Sequence, residues 1–268
     1  IPIQTPSWDR VTQALVMVDD YSRKVYVYGM KGKNGATVAQ HLRNHFSSLG
    51  LSRPEAINFF THRMILKSDQ GTEFINHDVK SLCVELGCAQ EFSCPGDSGK
   101  WQNGIVERRI KELGTIGRKL MHTSQMLPEA RMHALYHAAD ILNALPTTAN
   151  PGGSDSTGLP PQYVFDGATM EVGTWYAFGS QCYVHLDRDH SSQDKNIQAA
   201  SCVYLCRAHH AHSSGHILWD YKARRRLTVP IITSSQWNYF PLRPHGQQHL
   251  SMFLTWVAPP VDQPTPVE

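Results

Sequence analysis

The chain has 268 residues, 41% of them hydrophobic, which suits one large or two modest globular domains and excludes a chain disordered throughout. The formal net charge is only +2, so any affinity for nucleic acid must depend on local patches. The six cysteines are too irregularly spaced for a disulfide framework, which favours a reducing compartment, and no stretch approaches the ~20 apolar residues of a membrane span.

The first residues, IPIQTPSW, contain neither an initiator methionine nor a signal peptide, and they indicate part of a longer polypeptide. From there the hydrophobic pattern predicts alternating strands and helices. Two Val- and Tyr-rich runs around a polar turn predict a β-hairpin over Ala14–Met30. Helical spacing of apolar residues predicts helices at Gly35–Leu49, Asn76–Leu86 (capped by Asn76), Gly104–Met121 and Pro128–Leu145, and short strands are expected at Arg63–Lys67 and Ala89–Ser93. This order is typical of an α/β fold in which helices flank a mixed sheet.

The composition changes after this helical region. Residues 147–162, TTANPGGSDSTGLPPQ, indicate a linker or long loop. The segments QCYVHL, SCVYLC, HILWDY and RLTVPIITS then predict a small all-β region, and the Pro-rich end APPVDQPTPVE is expected to be disordered. We therefore divide the chain into an α/β domain over residues 1–165, a β region over 171–245 and a tail over 246–268.

Two acidic residues lie where predicted elements could bring them together. Asp69 follows a short strand, and open α/β sheets bind ligands at the carboxyl ends of their strands. Glu107 lies near the start of the long helix, at the margin of its apolar face. Two such carboxylates can share Mg²⁺ or Mn²⁺, and two ions about 4 Å apart can activate a hydroxyl and stabilise the leaving oxygen of a phosphodiester. The alternatives are a turn residue at Asp69 and an ion pair of Glu107 with Lys111, which would contribute roughly 0.2–0.5 kcal/mol.

The motifs VDDYSR, SDQGTEF and QNGIVERRIKELG follow one another in this order, and a later segment reads FGSQCYVHL. The three motifs resemble the integrase core of copia-type LTR retrotransposons, which is similar to retroviral integrases and shares the ribonuclease H-like fold. The later segment resembles the family's FGCxAYVH. The resemblance implies an Asp, Asp, Glu triad whose second and third members match Asp69 and Glu107. It also implies two Mg²⁺ or Mn²⁺ ions, DNA end processing and strand transfer.

The first acid of that triad is expected upstream of Ile1, on a strand that ends in a DxxGP-like segment, so the 268-residue chain alone is expected to be inactive. Asp9, Asp19 and Asp20 are the nearest candidates to replace it, but we do not adopt them. Asp19 and Asp20 lie in or beside the hairpin turn, which in the family is not the metal site. The chain also departs from the family at Gln70 and Thr72, and its loop PGDSGKWQNG is longer than the usual PQQNG. This longer loop could alter DNA engagement.

Basic and polar residues around Glu107 are expected to contact the DNA backbone: Lys100, Gln102, Asn103, Arg108, Lys111 and Arg118. The alternative is a solvated helix surface. The resemblance implies double-stranded DNA partners (element ends and target), a homo-oligomer, no membrane, and a nuclear location preceded by a cytoplasmic particle.

Three other interpretations remain open at the level of sequence. A decayed relative could be a non-catalytic nucleic-acid-binding or assembly module, and a ribonuclease H would use similar ions, although the glutamate after QNG favours an integrase. Cys202 and Cys206 could suggest zinc, but they match none of the usual zinc spacings and are expected on one face of a strand as core residues. The run KARRR, Lys222–Arg226, is either a DNA or nuclear-import patch or, preferably, a charged hairpin turn.

Overall fold

A computed structural model describes residues 1–50, 64–93, 103–150, 152, 158–168, 170, 175–185, 199–208, 215–230, 232 and 234–236. The strands are β1 (Gln13–Val18), β2 (Val25–Met30), β3 (Ile65–Ser68), β4 (Ala89–Phe92), β5 (Gln181–His185), β6 (Ala199–Arg207), β7 (His216–Asp220), β8 (Arg225–Val229) and β9 (Ser234–Gln236). The α-helices are α1 (Gly35–Ser48), α2 (His77–Glu85), α3 (Gly104–Ser124), α4 (Arg131–Ala144) and α5 (Pro161–Asp166), and a 3₁₀ turn, Pro128–Ala130, precedes α4.

The first half of the chain has strand pairs covered by helices. β1 and β2 pair antiparallel, with Val16 opposite Val27, whereas β3 and β4 pair parallel, with Leu66 opposite Gln90. A parallel pair needs a crossover connection, and α2 provides it. Within the described residues the two pairs are separate ladders. Strands of both directions with flanking helices confirm the predicted α/β class.

Alternating side chains of β1 and β2 enter two different cores because successive residues of a strand point to opposite faces. Ala14 and Val25 pack in a cluster with Leu113 of α3 and Leu135 of α4. On the opposite face, the helices α1 and α2 form a second cluster with Leu15 and Met30, and Leu66 of β3 packs against that same cluster. Helices therefore cover both faces of the β1–β2 pair.

The helix α4 lies between the α/β part and the β region. Buried residues occur on nearly all of its sides rather than along one stripe, as expected of a helix enclosed by protein. Leu135 packs in the cluster that faces β1 and β2, whereas Ala134 packs with Val203 and Leu205 of β6. The helix thus joins two cores.

The β region forms one antiparallel sheet in the order β8-β7-β6-β5-β9. It packs against the first half of the chain through α4 and through a stacked pair of indole rings, Trp8 and Trp219, whose centroids lie 3.8 Å apart with an interplanar angle of 4°. The all-β prediction for this region is confirmed, while the proposed domain boundaries stay a prediction.

Three local predictions need correction. Part of the predicted linker is ordered against the rest of the protein: Thr147 bridges Leu159, and the buried Asn150 donates from Nδ2 to the carbonyl oxygen of Ser22 at 2.7 Å. The linker's last two residues, Pro161 and Gln162, begin α5, where proline at the first helical position is favoured by its fixed φ. The segment RLTVPIITS is not one strand, because β8 ends at Val229, before Pro230, which has no N–H to donate.

The fourth correction concerns Cys202 and Cys206 of β6. Both are fully buried, but they do not face the same side: Cys202 packs with Cys182 and Tyr204, whereas Cys206 packs with Val203 and Leu205. The strand register shifts between Tyr204 and Cys206, as at a β-bulge, so the side chain of Cys206 points to the opposite face of the sheet from that of Cys202. The expected tail lies outside the described residues. No helix in the described part of the chain is long and apolar enough to cross a bilayer.

Candidate active site

Asp69 lies directly after β3, at the carboxyl end of the strand, as the sequence predicts. The residue is exposed, and its Oδ1 accepts a hydrogen bond from the N–H of Gly71 at 3.2 Å. A turn follows at once, in which the N–H groups of Phe74 and Ile75 donate to the carbonyl oxygen of Gly71. This local bond fixes one carboxylate oxygen against the turn, and the exposed side chain can still bind an ion.

The turn after Asp69 is held by a second carboxylate that the sequence analysis did not identify. Glu73 is only 8% exposed, and its Oε1 lies 2.8 Å from Nζ of Lys33. A Cβ at position 71 would lie 2.6 Å from Oε2 of Glu73, so any larger residue there would displace this carboxylate. Lys33 and Glu73 are far apart in sequence, and no periodic pattern connects them.

Burial and the neighbouring charges shift the pKa values of Glu73 and Lys33 in opposite directions. Burial raises the pKa of Glu73, but the hydrogen bond from Lys33 and one to the residue's own backbone outweigh burial, and the pKa lies below its ordinary value. The pKa of Lys33 is raised, first by the hydrogen bond to Glu73 and further by the charges of Glu73 and Asp69. Lys33 therefore interacts electrostatically with both carboxylates.

Ser93, just beyond β4, connects the end of β3 with the start of α3. Its N–H donates to the carbonyl oxygen of Ser68 at 3.0 Å, and its carbonyl oxygen accepts from Nε2 of Gln70 at 3.3 Å. Its Oγ accepts from Nδ2 of Asn103 at 3.2 Å. The residues on both sides of Asp69 are thus linked, through one serine, to the residue that precedes α3.

Glu107 lies in the first turn of α3, one helical turn beyond Asn103. Its N–H donates to the carbonyl oxygen of Asn103 at 3.0 Å, and its side chain is exposed. A carboxylate in the first turn is favoured by the positive end of the helix dipole. Asn103 makes no side-chain cap for this helix, and its Nδ2 donates to Oγ of Ser93. Asp69 and Glu107 therefore project from two backbone ends that Ser93 and Asn103 connect.

The donor set at these ends suits a hard divalent cation. Two exposed carboxylates offer oxygen ligands, which Mg²⁺ and Mn²⁺ prefer. Within the described residues, no three His, Cys, Asp or Glu side chains form a group that could hold a metal ion. The carboxylate oxygens of Asp69 and Glu107 are ligands of the type that these ions prefer, and the two side chains would supply part of a ligand set.

The three acids that sequence analysis set aside are engaged elsewhere. Asp19 accepts hydrogen bonds from the backbone and side chain of Ser22, at 2.7 and 2.6 Å, in the β1–β2 turn. Asp20 pairs with Arg23, and Asp9 pairs with Arg226. The hairpin turn predicted for Asp19 and Asp20 is confirmed.

A row of exposed basic side chains extends along α3 from Glu107. Arg108, Lys111 and Arg118 are exposed, and Arg108 pairs with Glu112 at 2.9 Å. Glu107 and Lys111, both in the described part of the chain, form no ion pair with each other, so the alternative of an (i, i+4) pair is not adopted. Lys100 and Gln102, also predicted to bind DNA, lie outside the described residues.

Comparison with known proteins gives this geometry a family context. Residues 1–98 match the family model of the integrase core domain. This segment includes Asp69 and ends before Glu107.

Two relatives have transposon origins. A transposon-derived protein of Caenorhabditis elegans is 38% identical over 118 residues, which are 42% of this chain and 35% of that protein. The retrovirus-related Pol polyprotein from transposon TNT 1-94 of Nicotiana tabacum is 22% identical over 223 residues, 82% of this chain and 15% of the polyprotein. The chain thus spans about a third or less of the length of these relatives. A continuous stretch of 82% of the chain must include both position 69 and position 107.

Among solved structures, the catalytic core domain of BIV integrase is 22% identical, with a TM-score of 0.39, in a match that covers 60% of this chain and 89% of that one. The family model and the transposon polyprotein point in the same direction as the sequence motifs. The resemblance of this chain to the integrase core of retrotransposons is thereby confirmed.

Proposed function

We propose that this chain is the catalytic core and following β region of a retroelement integrase. Its reactions are metal-dependent trimming of DNA ends and strand transfer. In strand transfer, a 3′-hydroxyl of the element attacks a target phosphodiester, and a new P–O bond forms as the bond to the leaving 3′ oxygen breaks. The observation that carries the proposal is the hydrogen-bonded connection from Ser68 and Gln70 through Ser93 to Asn103, which joins the backbone ends that bear Asp69 and Glu107.

In this proposal Asp69 and Glu107 hold two Mg²⁺ or Mn²⁺ ions, together with the acid that the resemblance implies upstream of Ile1. The bound ions would lower the pKa of the attacking hydroxyl and offset the charge on the leaving oxygen. The protein's own contribution is to place the two exposed carboxylates at the end of β3 and in the first turn of α3, with Oδ1 of Asp69 held by the N–H of Gly71. Lys33, which is held by Glu73, adds positive charge beside Asp69.

The DNA backbone would lie along the exposed face of α3. Arg108, Lys111 and Arg118 are exposed there, and Asn103 lies at its start. Lys100 and Gln102, which lie outside the described residues, are also proposed to contact DNA. Contacts of this kind neutralise phosphates and depend strongly on salt, but they carry little sequence information. A homo-oligomer acting on chromosomal DNA in the nucleus completes the proposal.

The test is a joining assay in Mg²⁺ that measures transfer of a labelled element-end oligonucleotide into a target duplex. The protein should begin far enough upstream to include the implied first acid. Asp69→Asn should abolish joining and leave duplex binding largely intact, because the substitution removes an ion ligand and keeps the shape. Asp20→Asn is the matched control, since this acid pairs with Arg23 in the β1–β2 turn, and joining should persist.

Equal loss of joining and of DNA binding in Asp69→Asn would contradict the role that we assign to it. Duplex binding by the unmodified protein without any joining would favour the alternative, a non-catalytic binding or assembly module.

A further inference from the structure

Two cysteines are brought together where α2 ends. Cys83 lies in the last turn of the helix, and Cys88 directly precedes β4. The N–H of Cys88 donates to the carbonyl oxygen of Cys83 at 2.8 Å. The N–H of Gly87 donates to the carbonyl oxygen of Val84 at 3.2 Å, and Gly87 has a φ of 63°. These two bonds and the left-handed glycine form a Schellman motif, which ends the helix and turns the chain back on itself.

The side chains at these two positions of a Schellman motif often make an apolar contact, and here both side chains are thiols. Cys83 and Cys88 are 6% and 8% exposed, and they pack in the same cluster as Leu82 and Leu86. Burial first, and then the charge of Cys88 and a hydrogen bond between the two side chains, raise the pKa of Cys83 to about 11. The two sulfur atoms are therefore neighbours, and Cys83 is protonated at neutral pH.

The cysteine pair connects two elements that flank the candidate active site. The helix α2 begins just beyond the turn that follows Asp69, where Nδ2 of Asn76 donates to the carbonyl oxygen of Glu73 at 2.7 Å. The strand β4 begins directly after Cys88 and leads to Ser93. A covalent bond between the two sulfur atoms would tie the end of this helix to the start of this strand.

We propose that Cys83 and Cys88 form a reversible disulfide when the protein meets a peroxide. One sulfur attacks the peroxide, the O–O bond breaks, and a sulfenic acid and one water form. The neighbouring sulfur then attacks the sulfenic sulfur, and the S–O bond breaks as a second water leaves. Two thiols and one hydrogen peroxide thus give one disulfide and two waters, and a small thiol reverses the reaction by exchange. The proposal does not depend on the proposed function.

A second pair of cysteines provides a control within the same chain. Cys182 of β5 lies directly opposite Cys202 of β6, and both are 0% exposed. Oxidation follows access to the thiol and its thiolate character, so the partly accessible pair at the end of α2 should react first. The reaction should be slow at pH 7 and faster at pH 9, because Cys83 is protonated at neutral pH. Cys182 and Cys202 should stay reduced as long as the protein is folded.

The experiment exposes the folded 268-residue chain to hydrogen peroxide and measures its peptides by mass spectrometry. The chain carries Cys94→Ala, because Cys94 lies outside the described residues but in the same tryptic peptide, 81–100. Thiols that remain are alkylated in denaturant before digestion. Peptide 81–100 should lose two hydrogen atoms and resist alkylation, and dithiothreitol should restore both thiols.

Cys83→Ala and Cys88→Ala separate disulfide formation from simple oxidation. Each variant should form no disulfide and should instead accumulate a sulfenic acid, which dimedone traps, because the resolving sulfur is gone. The chain with both thiols should give little dimedone adduct. An adduct as large as in the single variants, or two thiols that stay fully alkylatable after peroxide, would overturn the inference. Equally fast oxidation of Cys182 and Cys202 would also overturn it, because general opening of the chain would then explain the reaction.

Discussion

At the scale of single residues, the candidate site depends on polar side chains that support Asp69 and Glu107 without being acids of the triad. Ser93 and Asn103 join the strand end to the helix start, and Lys33 holds the buried Glu73 beneath the turn after Asp69. The sequence motifs identify Asp69 and Glu107 because each motif is a short run of neighbouring residues. The supporting contacts join residues distant in sequence, which only the folded chain reveals.

The Lys33–Glu73 pair gives a prediction for pH dependence. The folded-state pKa of Glu73 is lowered, so its contribution to stability is present above the ordinary glutamate pKa and is lost as the pH falls through the lowered value. Lys33→Met should reduce the free energy of unfolding at pH 7 by about 1 kcal/mol, because the bond is charged but solvent screens the exposed lysine. This difference from the unmodified protein should shrink as Glu73 becomes protonated.

Chemical denaturation at pH 7 and at progressively lower pH measures this effect. Lys31→Met is the matched control, because Lys31 is exposed and forms no ion pair with another described residue. A loss in Lys33→Met that stays the same down to the lowest pH at which the protein folds would mean that the pair does not stabilise the turn.

At the scale of elements, capping and burial decide which sequence predictions are accurate. Asn76 caps α2 as predicted, with its Oδ1 accepting from the N–H of Val79 at 3.0 Å. The predicted helix Gly104–Met121 is confirmed and extends to Ser124 as α3. Leu113 is fully buried at its centre, and Gly117 lets Leu135 of α4 approach closely, since a Cβ at position 117 would lie 3.1 Å from Cδ2 of Leu135. The helix α5 was not predicted, because a proline is equally compatible with a loop and with the first position of a helix.

Leu113→Ala should therefore destabilise the protein by about 2–5 kcal/mol, the usual cost of an internal cavity plus lost apolar burial. Urea denaturation monitored by circular dichroism measures the change. Ile105→Ala on the same helix is the control, since Ile105 is 38% exposed and should cost far less. Similar losses in both variants would show that α3 does not pack by the face that contains Leu113.

At the scale of the whole molecule, the sequence predicts the order of elements, the α/β class and the β region, because hydrophobic periodicity reports local structure directly. It cannot predict that α4 lies buried between two cores, because a helix without a single apolar stripe gives no preferred face. The stack of Trp8 on Trp219 and the reversed direction of Cys206 likewise depend on tertiary contacts and on a bulge.

The central claim is that Asp69 and Glu107 hold the same divalent ions. Isothermal titration calorimetry with Mn²⁺ tests it as a double-mutant cycle, on the protein extended upstream to include the implied first acid and on its Asp69→Asn, Glu107→Gln and double variants. Each single substitution should weaken binding about tenfold or more, and the double variant should bind no more weakly than the weaker single one, because a shared site is lost only once. Losses that simply add, or singles that bind as the unmodified chain does, would contradict a shared site.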